Sequence, residues 1–177
     1  MLHRYSEVLN LPVICADSGK RAGVVKDILF SLGSRSAKAF LLDHSGISLN
    51  KRVVYISELL SLGGEAAIVN SSSCVSDMNR VDYTEAFRDE GALLGLKVYS
   101  KDGGELGIVK DVIFDYKTGK IEGFEISDGL IRDVMQGRKL LPLFGKVELG
   151  EEYAVVDREA VEEMQDTGGG LRNKLLK

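Results

Sequence analysis

The chain has 177 residues, with 23 Lys and Arg against 27 Asp and Glu, a formal charge of −4, 44% hydrophobic and 28% charged residues. This is globular composition, which excludes collagen, mucin-like, coiled-coil and disordered classes. Twenty Gly, two Pro and no Trp point to many tight turns rather than proline-rich linkers.

From the N-terminus, Met1-Leu2-His3-Arg4-Tyr5-Ser6-Glu7 reaches an acid before any apolar stretch develops. It does not read as a secretory signal, and a cytoplasmic location is expected. Apolar runs such as Phe40-Leu41-Leu42 or Val53-Val54-Tyr55-Ile56 are only a few residues long, whereas a membrane helix needs about 20, so no membrane span is expected. Cys15 and Cys74 stand alone, outside any CxxC spacing, and read as small buried hydrophobes.

Self-similarity organises the chain. Gly23-Val24-Val25-Lys26-Asp27-Ile28-Leu29-Phe30 lies beside Gly107-Ile108-Val109-Lys110-Asp111-Val112-Ile113-Phe114, with five of eight positions identical. Leu11, Val13, Asp17 and Gly19 match Leu96, Val98, Asp102 and Gly104 upstream, and Phe40 and Leu42 match Phe124 and Ile126 downstream. Lys51-Arg52-Val53-Val54 then parallels Arg138-Lys139-Leu140-Leu141, and Ala67-Ile68-Val69 parallels Ala154-Val155-Val156. The chain is a tandem duplication.

Each copy reads as β-rich. Asp17-Ser18-Gly19 and Asp102-Gly103-Gly104 carry turn residues, and hairpins follow them. Gly107 to Asp115 is rich in β-branched residues, and Tyr116-Lys117-Thr118-Gly119 returns the chain into Lys120 to Ile126, where Phe124 and Ile126 are expected to face inward. Short strands at this spacing suggest a small barrel or sandwich. Helix is sparse: one turn is expected at Ser57-Glu58-Leu59-Leu60, and one helix from Arg158 to Gln165 behind an Asp157 N-cap, with Val161 and Met164 toward the sheet.

The turn Asp-x-Gly, the strand Gly-x-Val-x-Asp, the Thr-Gly-Lys hairpin and the closing basic-apolar segment resemble the PRC-barrel domain, present twice. The second copy keeps the pattern better, in Asp102-Gly103-Gly104-Glu105-Leu106-Gly107 and Thr118-Gly119-Lys120. In the first, Ser31 stands for Asp115, Ser34-Arg35-Ser36 replaces the Thr-Gly turn, and the stretch from His44 to Asn50 is shorter than its counterpart from Asp128 to Gly137. The resemblance implies an all-β fold of two small barrels in tandem, each of about six short strands, with a short C-terminal helix. The expected division is a first barrel over 1–77, a linker with a helical turn over 78–92, a second barrel with its helix over 93–166, and a basic tail over 167–177. Two domains this small are expected to lean on one another, with a homodimer as a further expectation. In the photosynthetic reaction-centre H subunit and the ribosome-maturation factor RimM, this barrel presents a surface to another macromolecule and does no catalysis.

The residues agree that no catalytic constellation is expected. His3 and His44 are solitary and read as surface groups, no Ser lies in a G-x-S-x-G elbow, and neither Gly23 nor Gly107 belongs to a phosphate loop. Asn70-Ser71-Ser72 matches a glycosylation sequon by accident of composition. No cofactor or metal is expected. Gly23 and Gly107 fit close backbone crossings, and Asp27 and Asp111 read as repeated structural carboxylates accepting backbone N–H bonds at a bulge. The segment Ser127 to Lys139 has no equivalent in the first copy. Two readings stand: Asp128, Asp133, Arg138 and Lys139 form a charged rim around an apolar patch for a protein partner, or Leu130, Ile131 and Val134 plug the barrel while Asp133 pairs Arg138. A non-enzymatic adaptor binding a protein partner is the leading expectation. The alternatives are a ribosome-associated factor of the RimM kind, for which the net charge makes direct nucleic-acid contact unfavourable, and a small ligand or metal held by Asp128 and Asp133.

Overall fold

The computed structural model describes residues 1–43, 51–78, 87–88, 93–129, 133, 137–143, 147–150 and 152–166. The protein folds as two compact units: Met1–Gly91 with Phe114–Lys120, and Ala92–Ile113 with Ile121–Lys177. The boundary is therefore not a single cut in the sequence, because the turn at 114–120 belongs with the first copy. Of the expected linker, Phe87–Arg88 forms a short strand, and the helical turn expected there lies outside the described residues.

The first unit carries β1 (Leu2–Arg4), β2 (Pro12–Cys15), β3 (Arg21–Ser31), β4 (Ser36–Leu42), β5 (Arg52–Tyr55), β6 (Leu59–Leu62), β7 (Ala67–Val69), β8 (Val75–Asp77) and β9 (Phe87–Arg88). The second carries β10 (Lys97–Ser100), β11 (Glu105–Asp115, whose last two residues fall in the first unit), β12 (Ile121–Ser127), β13 (Lys139–Pro142), β14 (Val147–Leu149), β15 (Tyr153–Val156) and β16 (Gln165–Asp166). The sheet orders β6-β7-β2-β3-β4-β5-β8 and β14-β15-β10-β11-β12-β13-β16 are the same path walked twice.

Register repeats as well as order. Val13 pairs Gly23 and Ala67, as Val98 pairs Gly107 and Ala154. Leu42 pairs Arg52, as Ile126 pairs Lys139. Both first hairpins slip by one residue at the same place, between Val13 and Ile14 and between Val98 and Tyr99. A bulge adds twist, which a long strand needs in order to curl.

The core follows the strand alternation. Val13, Val25, Phe40 and Val54 are fully enclosed in the first unit, and Val98, Val109, Phe124, Ile126 and Leu141 in the second. A separate apolar cluster of Leu29, Ala39, Leu41, Val53 and Met78 packs with Tyr55 in the first unit. Burying one such side chain contributes about 1.5–3 kcal/mol. Cys15 and Cys74 are buried free thiols, and burial pushes the Cys15 thiol up.

Helix is confined to short pieces. Residues Tyr5–Val8 form α1, with the Glu7 carboxylate accepting from Arg4 N at 3.2 Å and from its guanidinium at 3.1 Å. The turn expected at Ser57–Leu60 is a 3₁₀ turn at Ile56–Glu58 that leads directly into β6. The C-terminal helix α2 covers only Arg158–Glu162, because Gln165–Asp166 is claimed by the ladder with β13. Asp157 holds the N-cap position without a side-chain capping bond, its carboxylate instead pairing with Lys101, and Ala160 is the residue that α2 buries. Among the described residues, no helix is long and apolar enough to cross a membrane.

Candidate functional site

The repeated aspartates act on their own backbone. Asp27 follows a register slip between Val25 and Asp27, and its Oδ1 accepts from Ile28 N at 2.7 Å and from the Tyr5 hydroxyl at 2.8 Å. Asp111, 2% exposed, accepts from Val112 N at 2.9 Å. A carboxylate folded back onto the next N–H satisfies a donor that the bulge takes out of the ladder.

The repeated glycines differ. At Gly107, φ is +141°, and an added Cβ would stand 2.3 Å from the Ser127 carbonyl oxygen. At Gly23 the backbone is ordinary, and the nearest atoms are side-chain ones, Leu42 Cδ1 at 3.1 Å and Asp43 Oδ1 at 3.2 Å. Only the second copy brings β11 and the end of β12 together so closely that a side chain has no room.

That crossing floors a cleft of about 580 Å³ within the second unit. One wall is β11, with Leu106, Ile108 and Lys110 at alternate positions. The rest of the lining is the turn Ser127-Asp128-Gly129 with Lys139 and Met164, and the exposed Glu105. The Lys139 ammonium donates to Asp128 Oδ2 at 2.8 Å, and both side chains are largely covered. Glu105 Oε2 accepts a long bond, 3.4 Å, from the Tyr99 hydroxyl. Lys110 is exposed and has no partner among the described residues.

The first unit treats the same ground differently. Arg52, the ladder equivalent of Lys139, donates from Nη1 to the Ala22 carbonyl at 3.1 Å and from Nη2 to the Asp43 carbonyl at 3.0 Å. The Asp43 carboxylate turns inward to accept from Val24 N at 2.8 Å. The planar guanidinium thus spans from β3 to the residue after β4, whereas the Lys139 ammonium goes to the Asp128 side chain.

Of the four rim residues expected from sequence, the structure brings Asp128 and Lys139 together in the cleft. Arg138 goes elsewhere: its guanidinium lies 3.7 Å from Glu125, which is 7% exposed on β12. The expected Asp133–Arg138 pair is therefore not formed. The Asp133 N–H donates to the Gly129 carbonyl and its carbonyl accepts from Gly137 N, both at 2.9 Å. Its Oδ1 is enclosed without a hydrogen-bond partner among the described residues. Leu130, Ile131, Val134 and Met135, which carry the apolar half of either reading, lie outside the described residues, as does His44.

Sequence reasoning missed the β11 wall, although the exposed Lys110 stands in the very segment that reveals the repeat. It also placed His3 on the surface, whereas the ring is half-buried in β1, edge-on to Tyr116 at 5.6 Å between ring centres. Burial lowers its pKa. Among the described residues, no group of three or more His, Cys, Asp or Glu is placed to hold a metal ion.

Twin sheets of identical order, each a curled seven-strand path carrying a bulged long hairpin, define a tandem small-barrel protein. The PRC-barrel domain model matches residues 1–73 and again residues 91–162, so the chain belongs to the PRC-barrel family. No curated protein matches it.

Proposed function

We propose that the chain is a non-enzymatic cytoplasmic adaptor that binds a protein partner, with the second unit's cleft as the seat. The observation behind this reading is the divergence of two copies of one fold at one place. Core, ladder order and bulges repeat, while the ground around Arg52 and Lys139 does not. A packing requirement would weigh on both copies alike. A cation given to two backbone carbonyls in one copy, and to a carboxylate lining a cleft in the other, fits a task held by one barrel only, and the cleft's volume falls within the range usual for ligand sites.

The test is capture by the tagged full chain from a bacterial lysate, in nuclease-treated and untreated halves, beside Lys139→Arg. The arginine imports the first copy's bridge at small cost to folding. The expected result is a protein retained after nuclease by the native chain and lost by a Lys139→Arg protein of unchanged melting temperature. Capture indifferent to Lys139→Arg overturns the cleft as the seat. Ribosomal proteins that vanish with nuclease replace the adaptor reading with the ribosome-associated one.

A further inference from the structure

Resting on that reading, we infer that the cleft takes an extended peptide segment of the partner in which an acidic residue stands two positions from an aliphatic one. The inference comes from how charge and apolar surface are distributed along one wall. Four charged side chains line the cleft, and three are engaged: Lys139 with Asp128, and Glu105 with Tyr99. The Asp128–Lys139 pair is neutral, Glu105 keeps its charge five residues along β11, and the cation left to a ligand beside the apolar lining is the Lys110 ammonium, which has no partner among the described residues. Beside it lie Leu106 and Ile108, half-buried, with Met164 across the cleft. Complementary chemistry is a carboxylate next to an aliphatic group.

Spacing supplies the rest. Ile108 and Lys110 are two residues apart on β11, and Val109 between them is buried. Side chains on one face of an extended chain recur about every 7 Å. An extended peptide laid along β11 has that same repeat, so an aliphatic side chain over Ile108 and an acidic one at Lys110 are two positions apart. Because β10 and β12 already flank β11 in the sheet, such a segment lies on the face of the strand and is held by its side chains rather than by ladder bonds.

Amide chemical-shift titration of the full chain tests this with three blocked peptides: acetyl-Ala-Leu-Ala-Glu-Ala-amide, its Gln analogue, and acetyl-Ala-Leu-Glu-Ala-Ala-amide, where the acid is adjacent to the leucine. The first peptide is expected to shift the Leu106, Ile108 and Lys110 amides. The Gln and adjacent-acid peptides are expected to bind about threefold more weakly, the scale of a partly exposed ion pair. Salt at 0.5 M should erase the Glu-to-Gln difference. Lys110→Ala should also erase it, whereas Lys26→Ala, the same change at the repeat-equivalent exposed lysine, should leave it. Equal binding of the Glu and Gln peptides, or shifts confined to other strands, overturns the inference. Partner capture that Lys139→Arg abolishes and Lys110→Ala spares would overturn this peptide chemistry alone and leave the adaptor reading standing; capture that Lys139→Arg spares defeats the adaptor reading itself.

Discussion

Arg52 and Lys139 occupy the same rung of the same ladder in two copies of one fold, each opposite the last apolar residue of the central hairpin. The arginine spends its planar fork on two backbone carbonyls, reaching past β4 to Ala22 on β3 and to Asp43 just beyond β4. The lysine has a single ammonium and gives it to Asp128, and both residues line the cleft. Two cations of equal charge thus take different partners on one rung, because the number and direction of donors matters more here than the charge.

The sharpest way to break the equivalence of the two crossings is to add one methyl group to each. Gly107→Ala places a Cβ against the Ser127 carbonyl at 2.3 Å and holds alanine at φ +141°. It should cost at least about 3 kcal/mol and lower the melting temperature by roughly 10 °C, or prevent folding. Gly23→Ala meets only movable side-chain atoms and an ordinary backbone, so it should cost about 1 kcal/mol. Equal effects in thermal melts would show that the two crossings are alike after all.

Exchanging the cations comes next in size. Arg52→Lys leaves one of the Ala22 and Asp43 carbonyls without its donor and should destabilise by about 1–3 kcal/mol. Lys139→Arg gains a bridge and should change stability by less than about 1 kcal/mol in either direction. Urea denaturation of both variants measures the asymmetry, and a large loss in Lys139→Arg would mean that the Asp128–Lys139 pair is structural in its own right.

The duplication was legible because repeated folding demands repeat in sequence: a Gly and an Asp at each bulged hairpin, and apolar residues at matched ladder positions. Even a departure from the pattern was informative. Ser31 Oγ accepts from Ser34 N at 3.3 Å, as Asp115 Oδ1 accepts from Thr118 N at 3.1 Å, and Arg35 adopts φ +48° where Gly119 has +73°. The cleft was half legible. Asp128 and Lys139 stood out as lacking a counterpart, but the opposite wall is a strand that both copies share, and a shared sequence carries no mark of what faces it. The Arg138 assignment failed for a related reason. Glu125 lies opposite Leu140, so Arg138 reaches it diagonally across the ladder, a neighbour that proximity along the loop hides.

The hairpin turns give a finer comparison, one that titrates. In the first unit the Asp115 carboxylate accepts from Lys117 N at 2.9 Å and Thr118 N at 3.1 Å, and its other oxygen pairs with the Met1 amino group. The bond to that amino group, helped by the two backbone donors, holds the Asp115 carboxyl at about 2. A depressed acid stabilises the fold above its ordinary pKa of about 3.9 and loses that contribution as pH falls toward 2. Asp115→Ser, which imports the first copy's residue, should therefore cost about 1 kcal/mol at pH 7. The gap between variant and native melting temperatures should narrow from pH 4 down to pH 2. A gap that stays constant over that range would mean that the carboxylate charge contributes nothing to the turn.

His3, packed edge-on against Tyr116 beside that turn, titrates in the opposite chemical sense with the same dependence on pH. Burial lowers its pKa below 6.5; Glu7 and Asp115 oppose that shift, while the Met1 amino group adds to it. The folded protein therefore holds a neutral imidazole that the unfolded chain would protonate. Its contribution is complete above pH 6.5 and is lost as pH falls below it. His3→Phe keeps the aromatic contact and removes the titration, so the native melting temperature should fall between pH 7.5 and 5.5 by slightly more than that of the variant. Parallel pH profiles would show that the imidazole is protonated as readily in the folded state as in the unfolded one, and that its enclosed Nε2 costs the fold nothing when it gains a proton.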